Sequence, residues 1–422
     1  MIRHILKVMR NEWRTNLSLW IELMIVASLL WVVVDQLYIT YQIYRQPMGF
    51  DVEHTYCLRL GYLEPNSPLY DHTISVEENR AQLLTIRDRI ARNPMIEVAS
   101  TSLHSRPHTW NNRSISLTHD TLSCTALERI VSPEFFRVYR YQSIDGDTEA
   151  MVEALRRGEI ILSQDYAERF FGKGKAREAL GSEIVRGDPS SDNAQRLRVG
   201  AISRIVRYDQ FINWTEYFAT PMTDPMIERY FADRKDLWGL ELSMRVKPEE
   251  DRDFIRRFRS EMTEQLTLGN YYIADLYSVE ENRDASQVDN FNEIKTKGII
   301  VLFLLVNIFL GVVGVFWFRT EARRAEIGLR LSLGDTPRGI LGKYYAEGLL
   351  LLLLAMLPAM LVFYALGYWE VIPLGFMQLT LGRYASGLVL TYLLMALMII
   401  LGVWAPGRRA IRVSPAEALR SE

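Results

Sequence analysis

The chain has 422 residues and a formal net charge of −2. That length allows more than one folded unit, and the balanced charge excludes the strongly basic surface that nucleic-acid binding requires. Four long apolar runs, one near the start and three in the last third, exclude a purely soluble protein, because about 20 mostly apolar residues span a bilayer core.

Residues 1–16 carry Arg3, Lys7, Arg10 and Arg14 on one helical face and Ile2, Leu6, Met9 and Trp13 on another, the pattern of an amphipathic helix lying in the membrane interface. The first span follows at 17–38. Glu22 and Asp35 interrupt it near its ends, where a charge can reach the headgroups. No small-x-small site follows the apolar core, so the run reads as an anchor rather than a cleaved signal peptide.

Residues 39–297 form a large insertion. From Arg45 to Lys297 it carries 34 basic and 41 acidic residues, a net charge of −7. Two β-α-β patterns stand at its ends. The first runs from Tyr56–Tyr62 to Ile96–Thr101 through a helix with a capping box at Ser75 and Glu78. The second begins at Glu241–Val246, where Leu242, Met244 and Val246 alternate as in a half-buried strand. It continues through a helix at about Glu249–Leu266, started by Pro248 and an acidic first turn, to Tyr271–Leu276. The two patterns predict one split α+β subdomain, 56–103 with 238–277. Between them, 104–237 reads as an inserted subdomain of turns and short strands, including Glu159–Leu162, Leu197–Val206 and a short helix capped by Ser163 and ending at Gly172. His104, His108 and His119 lie in a polar, proline-interrupted stretch and read as solvent-exposed, so no metal site is expected. Residues 278–297 are polar and helix-compatible, a stalk leading to the second span.

The remaining spans are expected at 298–318, 348–368 and 384–404, joined by a loop at 319–347 and a short loop at 369–383, with a tail at 405–422. Asn307 inside the second span reads as an interhelical hydrogen-bonding residue. Basic residues concentrate before the first span, in 319–347 (Arg319, Arg323, Arg324, Arg330, Arg338, Lys343) and in the tail (Arg408, Arg409, Arg412, Arg420). By the positive-inside rule these three segments and both termini are cytoplasmic, and the large insertion is extracytoplasmic. That compartment permits a disulfide between Cys57 and Cys124, although two buried free thiols fit as well.

Three stretches resemble the MacB/FtsX superfamily of ABC transporter permeases, specifically its MacB-like members. The first is the loop, with Arg323, Arg324, Glu326, Ile327, Gly328, Leu329, Arg330, Leu333, Gly334, Arg338, Ile340 and Glu347. The second is the tail, with Pro406, Arg408, Arg409, Ala410 and Ile411 before Pro415 to Arg420. The third is external: Val131 to Phe136, then Glu159 to Ser163 with Ala167 and Phe170-Phe171-Gly172. The resemblance implies a four-span α-helical bundle with a large α+β extracytoplasmic domain, a split porter-like subdomain and a second subdomain inserted in it. It implies a bacterial inner-membrane permease subunit that works by mechanotransmission in efflux or extraction of a substrate, and is not itself an enzyme. ATP and magnesium would be bound by a separate cytoplasmic ABC ATPase, with no cofactor in this chain. A second permease chain, identical or different, would complete the membrane part. Membrane lipid is a further partner, and a periplasmic adaptor with an outer-membrane channel is compatible with the family.

Two features depart from MacB itself. Only 16 residues precede the first span, where MacB carries a fused ATPase, and Gly172-Lys173-Gly174-Lys175 lacks the spacing and hydroxyl of a phosphate-binding loop. Asp335-Thr336-Pro337 replaces the small and basic residues usual after the Leu-Gly pair. The resemblance assigns ATPase coupling to Arg323, Arg324, Glu326, Gly328, Arg330, Gly334, Arg338 and Glu347. The rival readings are a membrane-anchored sensor, whose external domain binds a ligand and signals inward, and a tethered extracytoplasmic enzyme.

Overall fold

The computed structural model describes residues 13–109, 112–187, 194–212, 215–228, 237–369 and 380–410. Most of the 369–383 loop, residues 411–422 and nearly all of the expected interfacial helix lie outside the described residues. The chain divides into two compact units, residues 1–44 with 289–422, and residues 45–288. The first element, α1 (Trp13–Tyr44), belongs to the former.

The second unit contains, in order, β1 (Thr55–Tyr62), α2 (Val76–Ala91), β2 (Ile96–Leu103), β3 (Arg113–His119), β4 (Leu122–Val131), α3 (Phe135–Val138), α4 (Glu149–Arg156), β5 (Ile160–Ser163), α5 (Gln164–Phe171), β6 (Glu183–Arg186), β7 (Gln195–Ser203), β8 (Tyr217–Pro221), α6 (Asp224–Ile227), β9 (Leu240–Val246), α7 (Phe254–Leu266), β10 (Tyr271–Ser278) and α8 (Val279–Ser286). Four strands in the order β10-β1-β9-β2 make an antiparallel sheet. β9 lies between β1 and β2, and β1 lies between β9 and β10, so the two β-α-β units interleave as a split α+β fold. α2 buries Leu83, Ile86 and Ile90 against this sheet, and α7 buries Phe254, Phe258, Met262 and Leu266. Each such side chain contributes roughly 2 kcal/mol when removed from water.

The segment between β2 and β9 builds a second body on the same sheet. Its strands pair in the ring β4-β3-β6-β7-β5-β8, and a parallel β8–β4 pairing closes it. Closure removes most free strand edges. β5 is buried on both faces: Ile160 and Leu162 face one core, Ile161 another with Phe135, Val152 and Ala201.

Several expectations need correction here. β9 is buried along all seven residues instead of half-buried, because it is central and covered on both faces. Its polar residues are matched: the Glu241 carboxylate accepts from Ser102 Oγ (2.7 Å) and from the backbone N–H groups of Ser105 (2.9 Å) and Arg106 (2.8 Å). Arg245, 1 % exposed, donates to the carbonyls of Val138 (2.7 Å), Glu53 (2.8 Å) and Asp51 (2.9 Å). The acidic run 249–253 does not open α7; it forms a 3₁₀ turn and a left-handed Asp253 (φ 55°), and the α-helix starts at Phe254. Ser163 precedes α5, but its hydroxyl accepts from the Tyr217 N–H (3.0 Å), tying β5 to β8 instead of capping the helix. His108 is buried rather than solvent-exposed, packed edge-on to Phe50, and burial pushes its pKa down to about 4. The start of the expected stalk, α8, buries Val279 in the external core.

Cys57 and Cys124 are buried free thiols. They sit on β1 and β4, three strand spacings apart across β9 and β2, which is at least about 14 Å and far beyond disulfide reach. Burial raises the Cys57 pKa to about 11 and keeps it an unreactive thiol.

The first unit adds α9 (Val288–Ala322), α10 (Arg324–Ser332), α11 (Pro337–Tyr368) and α12 (Leu381–Ala410) to α1. Four of these helices carry stretches long and apolar enough to cross a membrane: Leu17–Tyr44, Val288–Ala322, Pro337–Ala365 and Leu381–Arg409. Their shared core includes Leu23, Leu30, Trp31, Ile308, Val312, Phe316, Leu352, Phe363, Met395 and Ile399. Trp31 stacks on Phe363 at 4.6 Å, and it lies over Gly387 so closely that a Cβ there would come within 2.8 Å of the indole nitrogen. Asn307 stands on the exposed side of α9, away from the other described helices of the bundle. Asp35 is buried and paired with Arg383, which belongs to the first turn of α12 and not to a loop.

Candidate functional site

The residues singled out in 319–347 lie on the end of α9, on α10, and on the first turns of α11. They separate into a buried set and an exposed set.

The buried set is ionic. Arg319 donates to the Glu347 carboxylate at 2.7 Å, Arg323 approaches its other oxygen at 3.4 Å, and the Arg319 and Glu347 side chains are 4 % and 6 % exposed. The Arg319 guanidinium also lies 5.3 Å from the Phe316 ring centre. Removing two charges from water is unfavourable, and only close, hydrogen-bonded pairing offsets it. Glu347 therefore ties α11 to α9 and is not open to a partner. Beside it, Gly348 lets Ile399 of α12 and Phe316 of α9 approach, since a Cβ would lie 2.7 Å from Ile399.

α10 is a nine-residue amphipathic helix. Ile327 is buried in the bundle core and Leu331 packs against it, with Gly328 buried on the same side. Positions i, i+3, i+4 and i+7 from Glu326 share the opposite face. Those positions are Glu326, Leu329, Arg330 and Leu333. Glu326 and Arg330 pair at 2.6 Å, and the two leucines are 50 % and 79 % exposed. Two exposed leucines beside a charge pair form a small mixed surface with no covering element within the described residues. The charged members of this face were legible in the sequence; the leucines appeared there as motif positions, but only the helical phase shows that they point outward. Arg324 pairs with Glu321 at 3.3 Å, and Arg338 is exposed on α11.

The turn after α10 explains the Leu-Gly pair. Gly334 adopts φ +93°, its N–H donates to Leu331 O at 3.2 Å, and the Asp335 N–H donates to Arg330 O at 2.9 Å. That is a Schellman C-cap, which requires a residue able to take the left-handed conformation. The departure at Asp335-Thr336-Pro337 completes the corner instead of disturbing it. Thr336 Oγ1 accepts from the Gly339 N–H at 3.1 Å as an N-cap, and Pro337 occupies the first helical position, where its missing N–H is harmless. The Lys343 ammonium bonds Asp335 at 2.6 Å and holds its carboxyl below the usual range. At the end of α12, Arg408 lies over Trp404 at 4.4 Å and Arg409 over Trp317 at 4.5 Å.

Residues 298–415 match the family model for the FtsX-like permease C-terminal region. No curated protein matches the chain by sequence. Among solved structures, the chain is similar to the periplasmic region of MacB from Actinobacillus actinomycetemcomitans, with 11 % identity, TM-score 0.34, and 58 % of this chain and 98 % of that one covered. It is also similar to the extracellular domain of the noncanonic ABC-type transporter YknZ from Gram-positive bacteria, with 14 % identity, TM-score 0.30, and coverage of 52 % and 100 %. The match to the FtsX-like permease C-terminal region thus falls on the part of the chain that holds three of its four helices long and apolar enough to cross a membrane.

Proposed function

We propose that this chain, whose residues 298–415 match the FtsX-like permease C-terminal model, is the transmembrane subunit of an ABC transporter, driven by a separate cytoplasmic ATPase. The observation that carries the reading is the outward face of α10, Glu326, Leu329, Arg330 and Leu333, on a helix whose other side is anchored in the bundle. A partner seated there moves the helix, and the Schellman corner and the Arg319–Glu347 pair pass that movement to α11 and α9. α1 and α9 are the two segments by which the bundle continues into residues 45–288. ATP-driven closure of the partner would then act on the external unit to export or extract a substrate, without a channel through this chain. In this reading the termini and the 319–347 loop are cytoplasmic, the external unit faces the periplasm, and two permease chains form the complex.

Affinity purification of the tagged full chain from its native membrane, with an ATP-hydrolysis assay, tests this. A co-purifying ATPase is expected, and Glu326→Arg, or Leu329→Glu with Leu333→Glu, should remove it while leaving the chain in the membrane. A preparation without any ATPase, or one unchanged by these substitutions, defeats the reading and favours a membrane-anchored sensor.

A further inference from the structure

One edge of the external sheet is left partly open. β2 pairs with β9 from Ile96 to Leu103 but meets β4 only at Ser102 and Leu103. In an antiparallel ladder, successive residues turn their backbone groups alternately to one side and the other. His104 donates its N–H to Gly239 O on the β9 side (3.1 Å). Thr101 faces away from β9: its N–H donates to Ser132 Oγ (3.1 Å), and its carbonyl accepts from the Ser132 N–H (2.8 Å). Ala99, two residues earlier, therefore also turns its N–H and C=O away from β9, where β4 no longer runs alongside. A bulge between Ile96 and Val98 ends the open stretch on the other side.

A cavity of about 450 Å³ opens along this stretch, with Ala99, Ser100 and Thr101 in its lining. Ile90, Met222 and Ile227 supply an apolar wall, and the Ser100 hydroxyl is buried without a hydrogen-bond partner among the described residues. Arg87 and Asp224 also line it, but they are paired with each other and demand no charge from an occupant. A main-chain donor and acceptor left unpaired among the described residues, beside an apolar recess, is the condition under which a sheet edge templates another strand.

We propose that this cavity is a docking site for an extended polypeptide segment. The segment pairs with the backbone of Ala99 as a short added strand and seats an apolar side chain against Ile90, Met222 and Ile227. Recognition is through the main chain, so it tolerates different sequences provided the segment is extended and apolar at alternate positions. The inference stands on the external unit and does not depend on the transport reading.

The test uses the full chain in detergent, without any ATPase, and a fluorescein-labelled peptide of alternating Val and Thr flanked by Lys, followed by fluorescence anisotropy. Saturable binding is expected. Ala99→Pro removes the outward donor without touching the β9 ladder, and Ala91→Trp fills the cavity from α2; each should weaken binding about tenfold or more. Thermal unfolding checks that both variants fold. The same peptide with N-methylated backbone amides, offered to the unaltered protein, should not bind. Absence of saturable binding, or equal binding of the N-methylated peptide, overturns the proposal whatever the variants do. Wild-type affinity in both variants overturns it as well. Because no nucleotide or partner is present, failure here leaves the ATPase-coupling experiment unaffected.

Discussion

The membrane bundle and the external unit both enclose charge, but by different means. In the bundle it sits in compact ion pairs, Asp35 with Arg383 and Arg319 with Glu347, each surrounded by apolar side chains. Along β9 of the external unit, Glu241 and Arg245 are held mainly by backbone N–H and C=O groups of neighbouring turns. A spanning helix uses its backbone groups internally, so a charge within it depends on another side chain. A loop-rich domain has spare backbone donors and acceptors, and these hold Glu241 and Arg245 more closely than their counter-ions Arg106 (3.7 Å) and Asp51 (3.3 Å) do. The bundle pairs should therefore be replaceable two at a time, whereas removing a β9 charge together with its counter-ion should still leave backbone groups unpaired.

The sharpest break in that comparison comes from the bundle. Asp35→Leu or Arg383→Leu alone should destabilise by about 3–5 kcal/mol, because the surviving charge is buried unpaired, while the double substitution should recover most of the loss or exceed wild type. Thermal unfolding in detergent measures this, and a double variant as weak as the singles would show that the pair is not the relevant unit. In the external unit, Arg245→Met strands three backbone acceptors, and a loss of about 3 kcal/mol is expected with no second-site leucine that restores it.

A pH effect of similar or smaller size distinguishes the two regions. Buried His108 stays neutral in the folded state down to about pH 4, chiefly from burial and secondarily from Arg283 and Arg106. The unfolded chain takes up the proton near pH 6.5, so the stabilising contribution is complete above that value and is lost as pH falls toward 4, up to about 3 kcal/mol. The loss should appear in unfolding of the external unit, and His108→Gln should flatten that profile between pH 6.5 and 4. Smaller still, Thr336→Ala should cost about 1 kcal/mol as a lost N-cap, and Gly334→Ala a comparable amount through its positive φ. Reducing agent should change nothing, since Cys57 and Cys124 are free; a shifted unfolding temperature on reduction would contradict the strand order.

The coupling face was legible in part. The Glu326–Arg330 spacing and the Leu-Gly pair are local signals, and the structure gives them local roles, an i,i+4 pair and a Schellman cap. Glu347 carried the same signal but is buried against Arg319, because its surroundings come from α9, 28 residues earlier in the chain. Arg383 and His108 were misplaced for the same reason. A lone charged or polar residue in a short polar stretch reads as exposed until a distant element covers it.

By itself, the sequence determined the spanning helices, the two β-α-β ends and the apolar stripe of α7, because hydropathy and periodicity act over one helix or strand. Tertiary structure alone decided that β9 is central and buried on both faces, that β8 closes the ring on β4, that the two cysteines stand apart, and that β2 keeps an open edge at Ala99. Each of these depends on which strand lies next to which, and strand neighbours are chosen by packing between segments up to 222 residues apart, as for Tyr56 of β1 and Ser278 of β10. No periodicity within a single segment encodes that choice.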